Sequence, residues 1–328
     1  HRTGPEGRGL TPKLTGCHCA DVPVVPRGEE IVRNLQRVRL SVKSVVTWPP
    51  LNRPLTGAVH AVLPEPARHW PPLARYLPRA GMVEVTLPSG APLRLWSQGD
   101  DDIGTAVFWR GWAGHEPETA TYFLQLAASA RVVLDVGAHI GYFSLLAALT
   151  NPRARVLAFE PLAAVRDRLL HNVRLNDLDN VSCLPVAVGS HAGVAEFFHV
   201  SSGIPSSSGL SEAFMRSIVD EEQLRSVEVE VTTVDAVVRQ HDLAGAVDLV
   251  KIDTETTEDD VLRGMVRTLE HDRPSVVCEI LTSRTADGIE SLLEPYGYRY
   301  YMLTDTGPRP VDHIRPHPRW RNFAFLPA

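Results

Sequence analysis

Hydrophobic positions recur along this chain with two different periods, and the change of period organises it. Between Glu29 and Val46, the residues Ile31, Leu35, Val38 and Val42 stand at helical spacing, which predicts a helix. Pro49, Pro50 and Pro54 predict its end. From Pro64 to Pro78, turn-forming residues around Trp70, Leu73 and Tyr76 predict loops and short turns. Residues 1–78 therefore read as an N-terminal extension of helix and loops, followed by a domain over 79–328. That domain opens with period-two alternation in Met82–Leu87 and again in Leu93–Trp96, across Pro88-Ser89-Gly90. This predicts a leading hairpin over 82–96. A helix is predicted from about Pro117 to Ser129.

From Val132 onward strands and helices alternate. Strands are predicted at Val132–Val136, Arg155–Glu160, Val181–Val188, Val247–Asp253 and Ser275–Ile280. Several are unbroken apolar runs, as in a parallel sheet covered on both faces. Most of the segments between them have helical spacing, such as Ala163 to Leu175 with Val165, Leu169 and Val173 on one face. The pattern predicts an α/β fold with a doubly wound, mostly parallel sheet. Tyr298–Leu303 and Asn322–Leu326, joined by a Pro-rich loop, predict a terminal antiparallel hairpin at the sheet edge.

Composition narrows the partners. A net charge of −6 over 328 residues argues against a broad nucleic-acid surface. No run of about 20 apolar residues suggests a membrane span, and no apolar leader is seen at the start. Of the four cysteines, Cys183 and Cys278 fall in predicted strands, and Cys17-His18-Cys19 lacks a second pair to complete a metal site. This usage fits a reducing cytoplasm. Oligomeric state is not encoded in these patterns.

The candidate chemistry lies at strand ends. In Leu134-Asp135-Val136-Gly137-Ala138-His139-Ile140-Gly141-Tyr142-Phe143 an apolar strand ends in an acid and two glycines before a helix. Gly137 and Gly141 allow a sharp turn and close approach to a ligand. The spacing lacks the extra glycine of the dinucleotide fingerprint. It favours a ligand with adenosine but no diphosphate, which S-adenosylmethionine satisfies, over a nicotinamide cofactor. Glu160, followed by Pro161, ends the second strand and suits recognition of ribose hydroxyls; a helix cap is its other reading. Ala187 and Val188, with Val186, are expected to end the third strand and to flank the adenine. Lys251, Asp253 and Glu255 share a face at the end of the fourth strand, and Glu279 ends its neighbour. Asp253 and Glu279 can serve as base and orienter, or hold a divalent ion. Lys251 would repel such an ion, so metal-free catalysis is the favoured expectation. His139 is a second candidate base. Glu116, after Trp109 and Trp112, is expected to fold over the ligand beside an ammonium group.

From about Val83 to its end the chain resembles the FkbM family of methyltransferases. The resemblance rests on DVGAHIGYF at Asp135–Phe143, AFEP at Ala158–Pro161, the RLN and VAVGS stretch within Arg174–Gly193, VTTVDAVV to VDLVKID within Val231–Asp253, and RNFAFLP at Arg321–Pro327. It implies a Rossmann-like class I methyltransferase fold and S-adenosylmethionine as cosubstrate. It further implies O-methylation of a hydroxyl on a sugar, polyketide or other secondary metabolite. Asp135, Gly137, Ala138, His139, Gly141, Tyr142, Phe143, Glu160 and Pro161 would then line the cosubstrate. Two positions depart from the family pattern: His139 stands where asparagine is common, and Thr256 replaces a glycine. Since β-branched residues tolerate positive φ poorly, the loop after Asp253 is expected to take another shape. N-methylation of a peptide natural product and a non-catalytic, cosubstrate-binding module are the alternatives.

Overall fold

A computed structural model describes residues 48–69, 76–201, 204–205 and 207–328. The helix predicted at 29–46 and the Cys17-His18-Cys19 run lie outside the described residues. Where prolines were expected to leave loops, Pro49–Val62 forms a helix, α1. Pro49 and Pro50 occupy its first positions, where no N–H is needed. Pro54 lies inside the helix and leaves one carbonyl without its donor. Asn52 ties this helix to the next strand: its Nδ2 donates to Pro78 O and its Oδ1 accepts from Ala80 N, both at 2.7 Å.

The leading hairpin is present as β1 (Ala80–Thr86) and β2 (Pro92–Gln98), turned at Gly90 with φ +87°. It is followed by α2 (Asp102–Arg110), capped by the Asp101 carboxylate, and α3 (Pro117–Ala127). The main sheet then alternates with helices: β3 (Val132–Val136), α4 (Tyr142–Thr150), β4 (Arg155–Phe159), α5 (Ala163–Leu175) and β5 (Val181–Leu184). After an excursion come α7 (Val234–Gln240), β10 (Val247–Ile252), α8 (Glu258–Arg263), α9 (Val266–His271), β11 (Ser275–Glu279), α10 (Ser283–Leu293), β12 (Tyr298–Thr304), β13 (Gly307–Val311) and β14 (Asn322–Pro327). The strand order is β13-β12-β14-β11-β10-β3-β4-β5. The strands from β11 through β5 are parallel, and β14 is antiparallel to both β11 and β12. The terminal antiparallel pair was expected at an edge; instead β14 is inserted between β11 and β12, and β13 forms the edge.

The excursion holds a second sheet, in order β6-β9-β7-β8: β6 (Ala187–Val188), β7 (Gly193–Val200), β8 (Ser208–Gly209) and, after helix α6 (Glu212–Ile218), β9 (Leu224–Thr232). One strand was expected over Val181–Val188. It breaks at Pro185, which has no N–H to offer the ladder, and Ala187 and Val188 pair with β9 instead.

Both faces of the main sheet are buried, as its apolar strands require. One face packs against the hairpin, α3, α4 and α5 through Leu95, Phe123, Leu145 and Leu169. The other packs against α7 to α10 through Val237, Leu262, Leu269 and Ile289. Asn172 of α5 and Asn176, the residue that follows the helix, bind the hairpin edge in place of a strand. Asn172 Oδ1 accepts from Trp96 N and Asn176 Oδ1 from Arg94 N, both at 2.8 Å. Asn172 Nδ2 donates to Ile140 O at 2.9 Å, so the same side chain holds the Gly137–Gly141 turn. Among the described residues no helix is long and apolar enough to cross a membrane.

Candidate functional site

The register of four strands places the site. Asp135 pairs with Lys251, Lys251 with Val277, and Val277 with Ala324. Two residues further along each strand, on the same face, stand Gly137, Asp253, Glu279 and Asn322; Glu279 and Asn322 are direct partners. All lie at the carboxyl ends of the parallel strands, where chain order reverses between β3 and β10, the place for a ligand in such sheets.

Gly137 has φ +79°, and a Cβ there would lie 1.9 Å from Asp253 O. The glycine is thus required by the neighbouring strand, whose Asp253 N donates to Val136 O at 3.0 Å. Gly141 has φ +90°. Between them His139 adopts φ +52°, a conformation that Asn and His accept better than most residues. Glu160 receives the turn: its Oε2 accepts from His139 N at 3.1 Å and its Oε1 from Leu162 N at 2.9 Å. Burial pushes the Glu160 carboxyl up to about 8 against these two donors. The second sequence reading of Glu160 is met in part, because one oxygen braces the start of α5. Pro161 lies in the extended link before that helix. His139 Nε2 contacts Pro205 O at 2.8 Å. With that nitrogen donating, Nδ1 is a buried acceptor without a partner. Burial lowers the His139 pKa, so the ring stays neutral.

Lys251 is fully buried. Its Nζ lies 3.0 Å from Asp253 Oδ2 and 4.8 Å from the centre of the Phe143 ring. Burial opposes its charge, but Asp253, Glu116 and Asp135 overcome this and keep the ammonium charged well above its usual range. Asp135, also buried, accepts a hydrogen bond from Ser144 Oγ, and burial still raises it to about 6. Glu279 is pushed up to about 9 by burial and by Asp253, Glu116 and Glu255. Asp253, with 29% of its side chain exposed, is half-buried, as are Glu116 and Glu279.

Glu116 joins this cluster from α3. At φ +43° it precedes the helix, and its Oε2 accepts from Asn322 Nδ2 at 3.2 Å. The segment before it is held down by Tyr142, whose hydroxyl donates to Trp112 O. His115 lies 3.8 Å from Glu116, yet burial drives its pKa down to about 4; the contact is not an ion pair near neutral pH. Tyr142 and Phe143 are themselves buried against His115 and Phe123, so their rings pack the wall of the site.

The loop after Asp253 departs from expectation. Thr256 stands at φ +79° and Glu255 at φ +57°, so the glycine-like turn is kept in spite of the threonine. Glu258 holds it, with Oε1 accepting from Thr254 N (3.1 Å), Thr256 N (3.0 Å) and Thr254 Oγ1 (3.3 Å). Arg284 Nη2 donates to Thr256 O at 2.8 Å.

The structure thus gathers Lys251, Asp253, Glu279, Glu116, Asp135 and the Gly137–Gly141 turn, with Glu160 beyond them on β4. Ala187 and Val188 are buried one turn past the end of β5. Sequence reasoning did not single out Asn322, His115 or Ser144. Asn322 could have been found as the polar first residue of an otherwise apolar strand. Among the described residues no three His, Cys, Asp or Glu side chains converge as metal ligands.

A sequence profile described as the methyltransferase FkbM domain matches residues 135–300. The chain is 30% identical over 189 residues to methyltransferase sdnD of Sordaria araneosa, covering 51% of this chain and 73% of that protein. It is 30% identical over 213 residues to the AMB antimetabolite synthetase AmbE of Pseudomonas aeruginosa, covering 53% of this chain but only 10% of that protein. A crystal structure of methyltransferase FkbM from Methylobacillus flagellatus aligns with 16% identity and a TM-score of 0.39, covering 69% of this chain and 54% of that one.

Proposed function

Because the chain belongs to the FkbM methyltransferase family, we propose that it transfers a methyl group from S-adenosylmethionine to a hydroxyl of a secondary metabolite such as a sugar or polyketide. The observation that carries this reading is Glu160, whose carboxylate ends β4 beside the Gly137–Gly141 turn and retains lone pairs beyond its two backbone bonds. The unpartnered Nδ1 of buried His139 is a further acceptor for a ligand at this turn. When bound, the cosubstrate supplies an electrophilic methyl group on sulfur. Glu160 accepts the ribose hydroxyls, and the turn carries the aminoacyl part over Gly137.

Asp253 takes the acceptor's proton, as a half-buried carboxylate at the carboxyl end of β10. Lys251 donates to one of its oxygens and fixes it, leaving the other for the acceptor. Phe143 and Tyr142 shield the Lys251 side from water. No metal enters this scheme, and the Lys251 ammonium occupies the side of Asp253 that a cation would share. The names of sdnD and AmbE, a methyltransferase and an antimetabolite synthetase, support an acceptor from secondary metabolism. The test is turnover with pathway metabolites, first with S-adenosylmethionine alone, then in excess chelator. Activity that survives chelation supports base catalysis by Asp253. A loss restored by Mg²⁺ makes Asp253 and Glu279 metal ligands.

A further inference from the structure

On the far side of β10 from the proposed cosubstrate site, the sheet continues with β11 and β14. Strands lie about 4.8 Å apart, so Glu279 and Asn322 stand roughly 10 and 14 Å from β3. If the ribose sits at Glu160 on β4 and the aminoacyl part over β3, these two residues face the acceptor. Their surroundings crowd acids together: burial and mutual repulsion raise the carboxyls of Glu116, Glu255 and Glu279, so a cation beside them is what would let them ionise. Glu116, Asp253, Glu255 and Glu279 interact with one another across this end of the sheet, and Lys251 is the cation among them. His115 beside them is neutral, and exposed Arg321 acts on Glu255 from outside. Asn322 is 8% exposed. Its amide donates to Glu116, which points the head group into the cluster, and its Oδ1 has no partner. A buried carbonyl oxygen left open among carboxylates calls for a donor, and the carboxylates call for a cation.

A groove of about 280 Å³ lies nearby, between α3 and the β12–β13 turn. It begins at Pro117, the residue after Glu116, and is lined by Tyr122, Leu303, Thr304, Glu118 and Asp305, with no basic side chain in its lining. Asp305 pairs with Arg319 on its outer side. Because β11 and β12 are both antiparallel to β14, Thr304 ends its strand on the same side of the sheet as Glu279.

We propose that Glu279, Asn322 and Glu116 bind a protonated amine of the methyl acceptor, which is therefore an amino alcohol, such as an amino sugar, and not a phosphorylated or carboxylated compound. The inference rests on the cosubstrate placement proposed above. The ammonium donates to Asn322 Oδ1 and to the carboxylates, while the hydroxyl to be methylated lies toward Asp253, and the carbon frame extends along the Tyr122–Leu303 groove.

Ethanolamine, ethylene glycol and glycolate share a size and differ in charge, which makes them suitable probes. Saturation-transfer NMR in phosphate buffer, on protein saturated with S-adenosylhomocysteine, should give ethanolamine a signal at least tenfold above the other two. Glu279→Gln and Asn322→Ala should each abolish that preference and leave S-adenosylhomocysteine affinity within twofold. Equal signals from the three probes would overturn the proposal, as would a preference that survives both substitutions. A tenfold loss of S-adenosylhomocysteine affinity in either variant would overturn it too, by assigning these residues to the cosubstrate. A wild-type protein that fails to bind S-adenosylhomocysteine refutes the cosubstrate reading; the three-probe comparison on the free protein then still decides the amine site.

Discussion

Replacing Glu258 by alanine tests how the chain holds a threonine in a glycine's conformation. The Glu258 carboxyl is buried without exposure, and its Oε1 receives three hydrogen bonds from Thr254 and Thr256. Burial pushes its pKa up to about 7, so near neutral pH the group is partly protonated and its bonds lie toward the neutral end of the scale. At about 1 kcal/mol each, the three bonds amount to roughly 3 kcal/mol. Losing the buried, unpartnered Oε2 returns part of this, and the expected destabilisation is about 2–3 kcal/mol. Urea unfolding without cosubstrate measures it through the midpoint at constant m. Glu258→Gln, which keeps one acceptor oxygen, should lose less than about 1 kcal/mol. A Glu258→Ala protein within about 0.5 kcal/mol of wild type would refute the view that this side chain sustains the loop.

Other expectations follow from the same contacts. Thr256→Gly relieves a positive φ worth roughly 1–3 kcal/mol in a β-branched residue but loosens the unfolded chain by about 0.7 kcal/mol; unfolding should show a net gain of roughly 0.3–2.3 kcal/mol, and any loss of stability contradicts the strain. Asn172→Ala strands Trp96 N–H and Ile140 C=O, so it should cost about 2–3 kcal/mol of stability and also weaken cosubstrate binding, both readable in one calorimetric series. Folding raises the carboxyls of Asp135 to about 6, Glu255 and Glu258 to about 7, Glu160 to about 8 and Glu279 to about 9. Each binds its proton more tightly folded than unfolded, so its stabilising contribution is complete below about pH 4 and is lost as pH rises through the folded value. The urea midpoint of the free protein should fall steadily from about pH 5 to about pH 9; a rising midpoint contradicts the assigned directions.

The sheet was legible because buried parallel strands are unbroken apolar runs, and β3, β4, β10 and β11 fall within a residue of their expected ends. The second sheet was missed although its signal is present: in β9, Val227, Val229 and Val231 alternate with Glu228 and Glu230. Helical spacing was assumed between strands, and that hid a period of two. Helix α1 was hidden by its prolines: Pro49 and Pro50 suit its first turn, and Pro54 is accommodated inside it at the loss of one backbone hydrogen bond. At the site, single-strand motifs carried Asp135, Glu160, Lys251 and Asp253. Glu116 and Asn322 reach the cluster from elements at opposite ends of the domain, and only the β11–β14 register brings Asn322 to Glu279. The Thr256 loop was misjudged because local propensity was weighed without Glu258, two residues on, whose hydrogen bonds offset the strain.

The central claim, that this fold holds S-adenosylmethionine with its ribose on Glu160, is tested most directly by titrating S-adenosylhomocysteine into wild type and Glu160→Ala in a calorimeter. Thermal unfolding of both proteins confirms that the variant is folded at the temperature used. The account predicts saturable binding to the wild type and a loss of roughly 1–3 kcal/mol in the variant, from two ribose hydrogen bonds of about 0.5–1.5 kcal/mol each to a carboxyl that is largely protonated in the free protein. Equal affinity for the two folded proteins would contradict it.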